Sequence, residues 1–175
     1  ASLQLNHTAT HILQFALRQV LGDHVKQAGS HLSKERLRFD FTHFTQITPR
    51  EKERIEDIVN TRIRENAPVS TEVMSIDKAL ESGATALFGE RYGEEVRVVS
   101  VGEFSQELCG GTHTGAAGDI GMFRILHEGS ISSGVRRIEA ATGANSLAQA
   151  RLEQNTLAEI TEMTKSAPLE EADRV

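Results

Sequence analysis

The sequence has little with which to cross-link itself. Its 175 residues hold one cysteine, so no internal disulfide can form. That fits a reducing compartment and leaves the lone thiol for metal binding or chemistry. No apolar run approaches the roughly 20 residues of a membrane span, so no membrane partner is expected. A cationic excess is missing too: 19 Lys and Arg stand against 25 Asp and Glu, a net charge of −6. Such a chain does not adhere to nucleic acid through bulk charge. DNA is not expected as a partner, and any RNA contact needs a local basic patch or a shaped pocket. The acidic excess is heaviest in Glu153–Asp173, where six acidic residues stand against one Lys. No signal peptide opens the chain, whose first residue is Ala rather than Met. It therefore reads as a cytoplasmic product, excised from a longer polypeptide. There is no internal repeat and no low-complexity segment.

What is present is the composition of a globular domain, with 38% hydrophobic and 25% charged residues. Leu5, Ala9, Ile12, Phe15, Ala16 and Val20 recur at three- and four-residue steps and predict a helix over 2–21, stopped at Gly22. Residues 27–33 read as a turn or irregular loop. Leu37, Phe39 and Phe41 alternate with Arg38, Asp40 and Thr42, the period of a half-buried strand that turns Asp40 toward solvent. Thr48-Pro-Arg-Glu51 is a helix start with a capping box. Strands are expected at 69–74, 95–101, 122–127 and 135–141, a short helix at 76–81, and Gly129 and Gly134 at the ends of the last turn. From about Ser146 the pattern is helical and polar. The expected class is α+β, an antiparallel sheet with helices packed on one face. Residues 1–143 form its domain, and 144–175 a C-terminal helix that starts a longer helical or coiled-coil segment.

Two pairs of residues stand out. His7-Thr-Ala-Thr-His11 places two imidazoles four positions apart on the first helix. At about 3.6 residues per turn they share a face. Cys109-Gly-Gly-Thr-His113 sets the only cysteine four positions before a histidine, in a loop whose glycines allow a sharp bend. Together they could supply a tetrahedral zinc shell of three nitrogens and one sulfur. Each pair alone has an ordinary reading as surface or core residues. Thr8 stands where a His-Glu-x-x-His protease carries its general base, and it cannot ionise. The glycine-rich 110–121 segment lacks the Lys-Ser/Thr ending of a nucleotide loop. His24, His31, His43 and His127 have no ligand spacing.

Several stretches in order, from about residue 6 to 143, resemble the editing domain of alanyl-tRNA synthetases and the free-standing alanyl-tRNA editing proteins. They are Asn6-His-Thr-Ala-Thr-His11, Leu37-Arg-Phe-Asp-Phe41, Ala86-Leu-Phe-Gly89, Glu107-Leu-Cys-Gly-Gly-Thr-His113, Gly118-Asp-Ile-Gly121 and Gly134-Val-Arg-Arg-Ile-Glu139. Threonyl-tRNA synthetases have a similar domain, but the Gly-Gly-Thr-His loop and Val-Arg-Arg-Ile-Glu strand look like the alanyl group. The resemblance implies a hydrolase that deacylates alanine-specific tRNA mischarged with serine or glycine. It puts the family's zinc ligands on His7, His11, Cys109 and His113, pocket residues on Thr10, Gln27 and Ser30, and the rest of a synthetase chain beside the domain. The small β-barrel that precedes this domain in the family is absent from the sequence. Thr10 is a candidate reader of the seryl hydroxyl, against the plainer reading that it bonds the carbonyl one turn back. Glu107 is a candidate to orient a water or support a ligand. Arg136 and Arg137 are candidates for tRNA phosphate or ribose, with only one reaching the pocket because adjacent strand residues point to opposite faces. The competing readings are a free-standing editing protein, a non-catalytic zinc-stabilised tRNA-binding module, and a generic zinc esterase.

Overall fold

A computed structural model describes residues 2–86 and 92–165. Positions 87–89 of the Ala86–Gly89 motif and positions 166–175 of the expected C-terminal helix lie outside the described residues. Among the described residues, seven strands form two antiparallel sheets. Helix α1 (Ser2–Leu21) leads into β1 (Gln27–Leu32) and β2 (Leu37–Thr42). After α2 (Pro49–Arg64) come β3 (Val69–Ser75), α3 (Ile76–Glu81), β4 (Glu95–Val101) and β5 (Ser105–Leu108). A 3-10 turn (Ala117–Ile120), β6 (Phe123–Ser132), β7 (Val135–Thr142) and α4 (Gly143–Thr164) complete the chain. The larger sheet has the order β1-β2-β7-β6 and the smaller β3-β4-β5.

The α+β class holds, with two sheets in place of the single one expected. The alternation in β2 works as read: Leu37, Phe39 and Phe41 are fully buried, facing Ala140, Ile138 and Arg136 across the ladder to β7. They join Ile12, Leu13 and Leu17 of α1, Ile55 and Val59 of α2, and Phe123 in one core on one face of the larger sheet. The smaller sheet has its own core, Val96, Val98 and Leu108 against Ala79 of α3. The other face of β4 sends Val101 into the main core, and the same face of β5 sends Glu107 toward α1. The sheets therefore meet at α1, where the chemistry-bearing residues lie. Helix α2 starts with the expected box: Thr48 Oγ1 accepts from Glu51 N at 3.2 Å, and Thr48 N donates to Glu51 Oε2 at 2.8 Å.

Three local expectations are corrected, and one strand, β5, was not foreseen. Residues 27–32 are a strand, not a loop. It is an edge strand with a register shift between Gln27 and Gly29, and its polar sequence carries no apolar alternation. β5 has four residues, too short for a period to show. Gly129 lies inside β6, and the turn is made at Gly134, whose φ of +72° suits glycine. Asp40 is not turned to solvent: it is 9% exposed and takes two hydrogen bonds from Arg137, Nε at 2.7 Å and Nη2 at 2.8 Å.

Candidate metal centre

The amphipathic spacing that buries Ile12 and Leu13 fixes the rotation of α1, and that rotation turns His7 and His11 toward the loop after β5. The ladder between β4 and β5 fixes the other half, since Val98 pairs with Leu108 and Cys109 N donates to Arg97 O at 3.0 Å. Ligand atoms of His7, His11, Cys109 and His113 lie within 4.8 Å of one another. Cys109 Sγ is 3.3 Å from His7 Nε2 and 3.4 Å from His113 Nε2. Tetrahedral zinc, with bonds of about 2.3 Å to sulfur and about 2.0–2.1 Å to nitrogen, separates those atoms by about 3.5 Å.

The surroundings fit a cation. Glu107 Oε2 holds His11 Nδ1 at 2.6 Å, which points Nε2 into the cluster, and that Nε2 is buried with no hydrogen-bond partner. An orphaned nitrogen among a thiolate and two more imidazoles is what a metal ligand looks like before metal arrives. Thr8 does for His113 what Glu107 does for His11. Its hydroxyl is 3.3 Å from His113 Nδ1 and accepts from Thr114 N at 3.1 Å, which leaves His113 Nε2 on the cluster side. Gly111 packs against the ring of His7, where a Cβ would collide with the imidazole.

Charge follows from this packing. Burial resists ionisation of Cys109, but the three imidazoles of His11, His113 and His7 and the Gly111 N–H outweigh it and hold the thiol down to about 3. Burial likewise disfavours a charged His11, yet the Glu107 carboxylate and the Cys109 sulfur raise it to about 10. Burial lowers His113.

The other candidates stand at different distances from this point. Glu107 is in direct contact through His11. Thr10, buried on α1, donates its hydroxyl to Asn6 O at 2.8 Å, the local bond of a helical threonine. Gln27 and Ser30 sit on β1 and touch each other at 3.4 Å, with no hydrogen bond to the cluster among the described residues. Arg136 pairs with Glu128, and Arg137 with Asp40. Sequence reasoning passed over Thr8, dismissed for lacking an ionisable group. It also missed Arg97, whose Nη1 donates to Gly110 O at 2.9 Å and contacts Gly111 O, clamping the loop between Cys109 and His113. The available signal was a cation inside the apolar run Val96-Arg97-Val98-Val99.

A family profile described as the threonyl and alanyl tRNA synthetase second additional domain matches residues 96–139. That span holds Cys109 and His113. Among curated proteins, an alanine–tRNA ligase of Desulfosudis oleivorans is 55% identical over 170 residues, 97% of this chain and 19% of the ligase. One of Desulfitobacterium hafniense is 52% identical over the same shares. One of Shewanella loihica is 58% identical over 156 residues, 86% of this chain and 18% of the ligase. The chain thus spans about a fifth of the length of these relatives. With the profile on the Cys-His half and the identity running across both halves of the cluster, the chain belongs to the alanine–tRNA ligase family, as the segment that carries its second additional domain.

Proposed function

We propose that this segment is an editing hydrolase, which cleaves the ester of alanine-specific tRNA mischarged with serine or glycine, with zinc held by His7, His11, Cys109 and His113. The observation that carries the reading is the convergence of two distant pairs on one point, with His11 Nε2 buried and unpartnered there. When bound, zinc supplies Lewis acidity. The protein's own part is positioning. Glu107 and Thr8 lock the two ring orientations, and Arg97 fixes the Gly-Gly peptides.

Thr10 gives its proton to Asn6 O, so in this reading it receives the seryl hydroxyl on its oxygen lone pairs. A Thr10→Val variant then loses serine hydrolysis while glycine hydrolysis persists. Gln27 and Ser30 border the aminoacyl pocket from β1. Arg137, whose side chain is 27% exposed while bound to Asp40, is the better placed of the two arginines to meet RNA. Residues 1–143 are the working unit and the helix beyond is an appendage, with only Ser146 buried in it. The remainder of a synthetase chain is the expected partner. No helix among the described residues is long and apolar enough to cross a membrane.

One observation favours a second reading. Four protein ligands complete a tetrahedral shell, and closed shells are the mark of structural sites. On that reading the domain is a zinc-stabilised tRNA-binding module. Deacylation of seryl- and glycyl-tRNA, with metal analysis and a His11→Ala control, separates the two. Release of amino acid by the parent and not by the variant supports the hydrolase. Binding without release supports the module, and hydrolysis of simple esters as fast as tRNA esters supports a generic esterase.

A further inference from the structure

A second buried polar atom on α1 lacks a partner. Gln14 is 5% exposed, and its Oε1 makes no hydrogen bond. A buried acceptor left in this state is disfavoured unless something outside the chain donates to it. Gln14 follows His11 by three positions, so the two side chains leave the helix as neighbours on one face, with Cβ atoms about 5–6 Å apart. One offers an unpartnered nitrogen to the cluster, and the other carries an unpartnered oxygen about one turn further along the same helix. Gln14 and Glu107, the residue that holds His11, line the same cavity of about 530 Å³ between α1 and β5. Gln14 also lines the adjoining cavity of about 190 Å³ that reaches Gln27 on β1. Gln14 is one of the residues the two cavities share, with Arg18, Asp23 and Thr85.

The charge of the larger cavity limits what enters. Asp23, Glu103 and Glu107 line it against one cation, Arg18, and Arg18 is paired with Asp23 at 3.2 Å. A phosphate is repelled there and a cationic donor is drawn in. We propose that Gln14 accepts a hydrogen bond from the α-ammonium of the aminoacyl ester. This inference rests on the editing reading and adds a specificity element to it. Serine and glycine differ in side chain and share the ammonium, so a site that takes both gains by gripping the group they have in common. The ester then lies between Gln14 and the His-Cys cluster, and the side chain is left for other residues to sense.

The test compares glycyl-tRNA with acetyl-tRNA, which differ by the ammonium alone, in single turnovers of the zinc-loaded protein. The parent favours the glycyl ester. In Gln14→Leu the glycyl-to-acetyl rate ratio falls roughly 10- to 100-fold, the range of one hydrogen bond to a charged group. Gln14→Glu, which keeps an acceptor, retains most of the ratio. The leucine variant melts no lower than the parent, since it removes an unpartnered group. An unchanged ratio, or equal loss on both esters, overturns the proposal while leaving the editing reading intact. If the parent hydrolyses neither ester, the editing reading fails, and titration with glycinamide against acetamide decides the site alone. A shift of the Gln14 carboxamide resonance with the first and not the second upholds ammonium binding, and no shift with either overturns it.

Discussion

At the scale of single residues, the candidate metal centre depends on small groups behind the His-Cys cluster. Glu107→Gln keeps a hydrogen bond to His11 but removes the charge that raises the ring's basicity. Metal affinity, read by chelator competition, is expected to fall about 10- to 100-fold. Gly111→Ala drives a methyl group into the His7 ring and should abolish stoichiometric zinc while the fold melts cooperatively. A fully loaded alanine variant would show that His7 is not a ligand. Arg97→Gln frees the Gly110 and Gly111 carbonyls, and the expected signature is faster metal release with unchanged stoichiometry. The convergence of the two pairs was legible because their spacing repeats a helical turn and a glycine-bounded loop. Thr8 and Arg97 were not, since each acts on an atom roughly a hundred or a dozen positions away, and no period in the sequence records such a partner. Asp40 was misread for a similar reason: alternation says which face a strand residue takes, and only the register with Arg137 says that this face is covered.

At the scale of elements, local chemistry decides what could be read. Helix α2 announces itself through Thr48, Pro49 and Glu51, and Thr48→Ala should destabilise the protein by about 1 kcal/mol in chemical denaturation, with little change in the m-value. β1 and β5 carry no such signal, because an exposed edge and a four-residue strand owe their conformation to their neighbours. The corner after β2 holds a pair that the sequence did not suggest. His24 Nε2 meets His43 Nδ1 at 2.8 Å, and His43 Nε2 meets the Thr45 hydroxyl at 3.1 Å. Burial first, and then the neighbouring His24, lower the pKa of His43, against a smaller upward pull from Glu51. The unfolded chain therefore takes up a proton near pH 6.5, before the folded one does. This contribution to stability is complete above about pH 6.5 and is lost as pH falls toward the lower folded value. With zinc held saturating, the parent should lose melting temperature more steeply below pH 6.5 than His43→Gln. Parallel curves would remove His43 from the account.

At the scale of the whole molecule, the centre joins two bodies of unequal size. α1 belongs to the main core, and Cys109 and His113 follow the strand that seals the smaller one. Phe39→Ala, in the middle of the main core, should cost about 3–5 kcal/mol. Zinc saturation at about 100 times its dissociation constant should add about 2.7 kcal/mol to unfolding, and a chelator should withdraw it. A melting curve indifferent to chelator would deny that the ion ties the sheets together. The α+β class was legible from the alternation of helical and strand periods. That there are two sheets was not, because pairing partners such as Phe39 and Ile138 are set by long-range register.

The distance between the ligands along the chain has a temporal consequence. His7 and Cys109 are 102 positions apart. At about 5–20 residues per second, a ribosome exposes the histidine pair roughly 5–20 s before its cysteine partner. During that interval the nascent helix can offer a cation two nitrogens at most, a weak and unselective grip. On the zinc reading, metal choice is deferred until the glycine loop emerges, and a chain stalled before that loop would leave the ribosome with no means of keeping an ion.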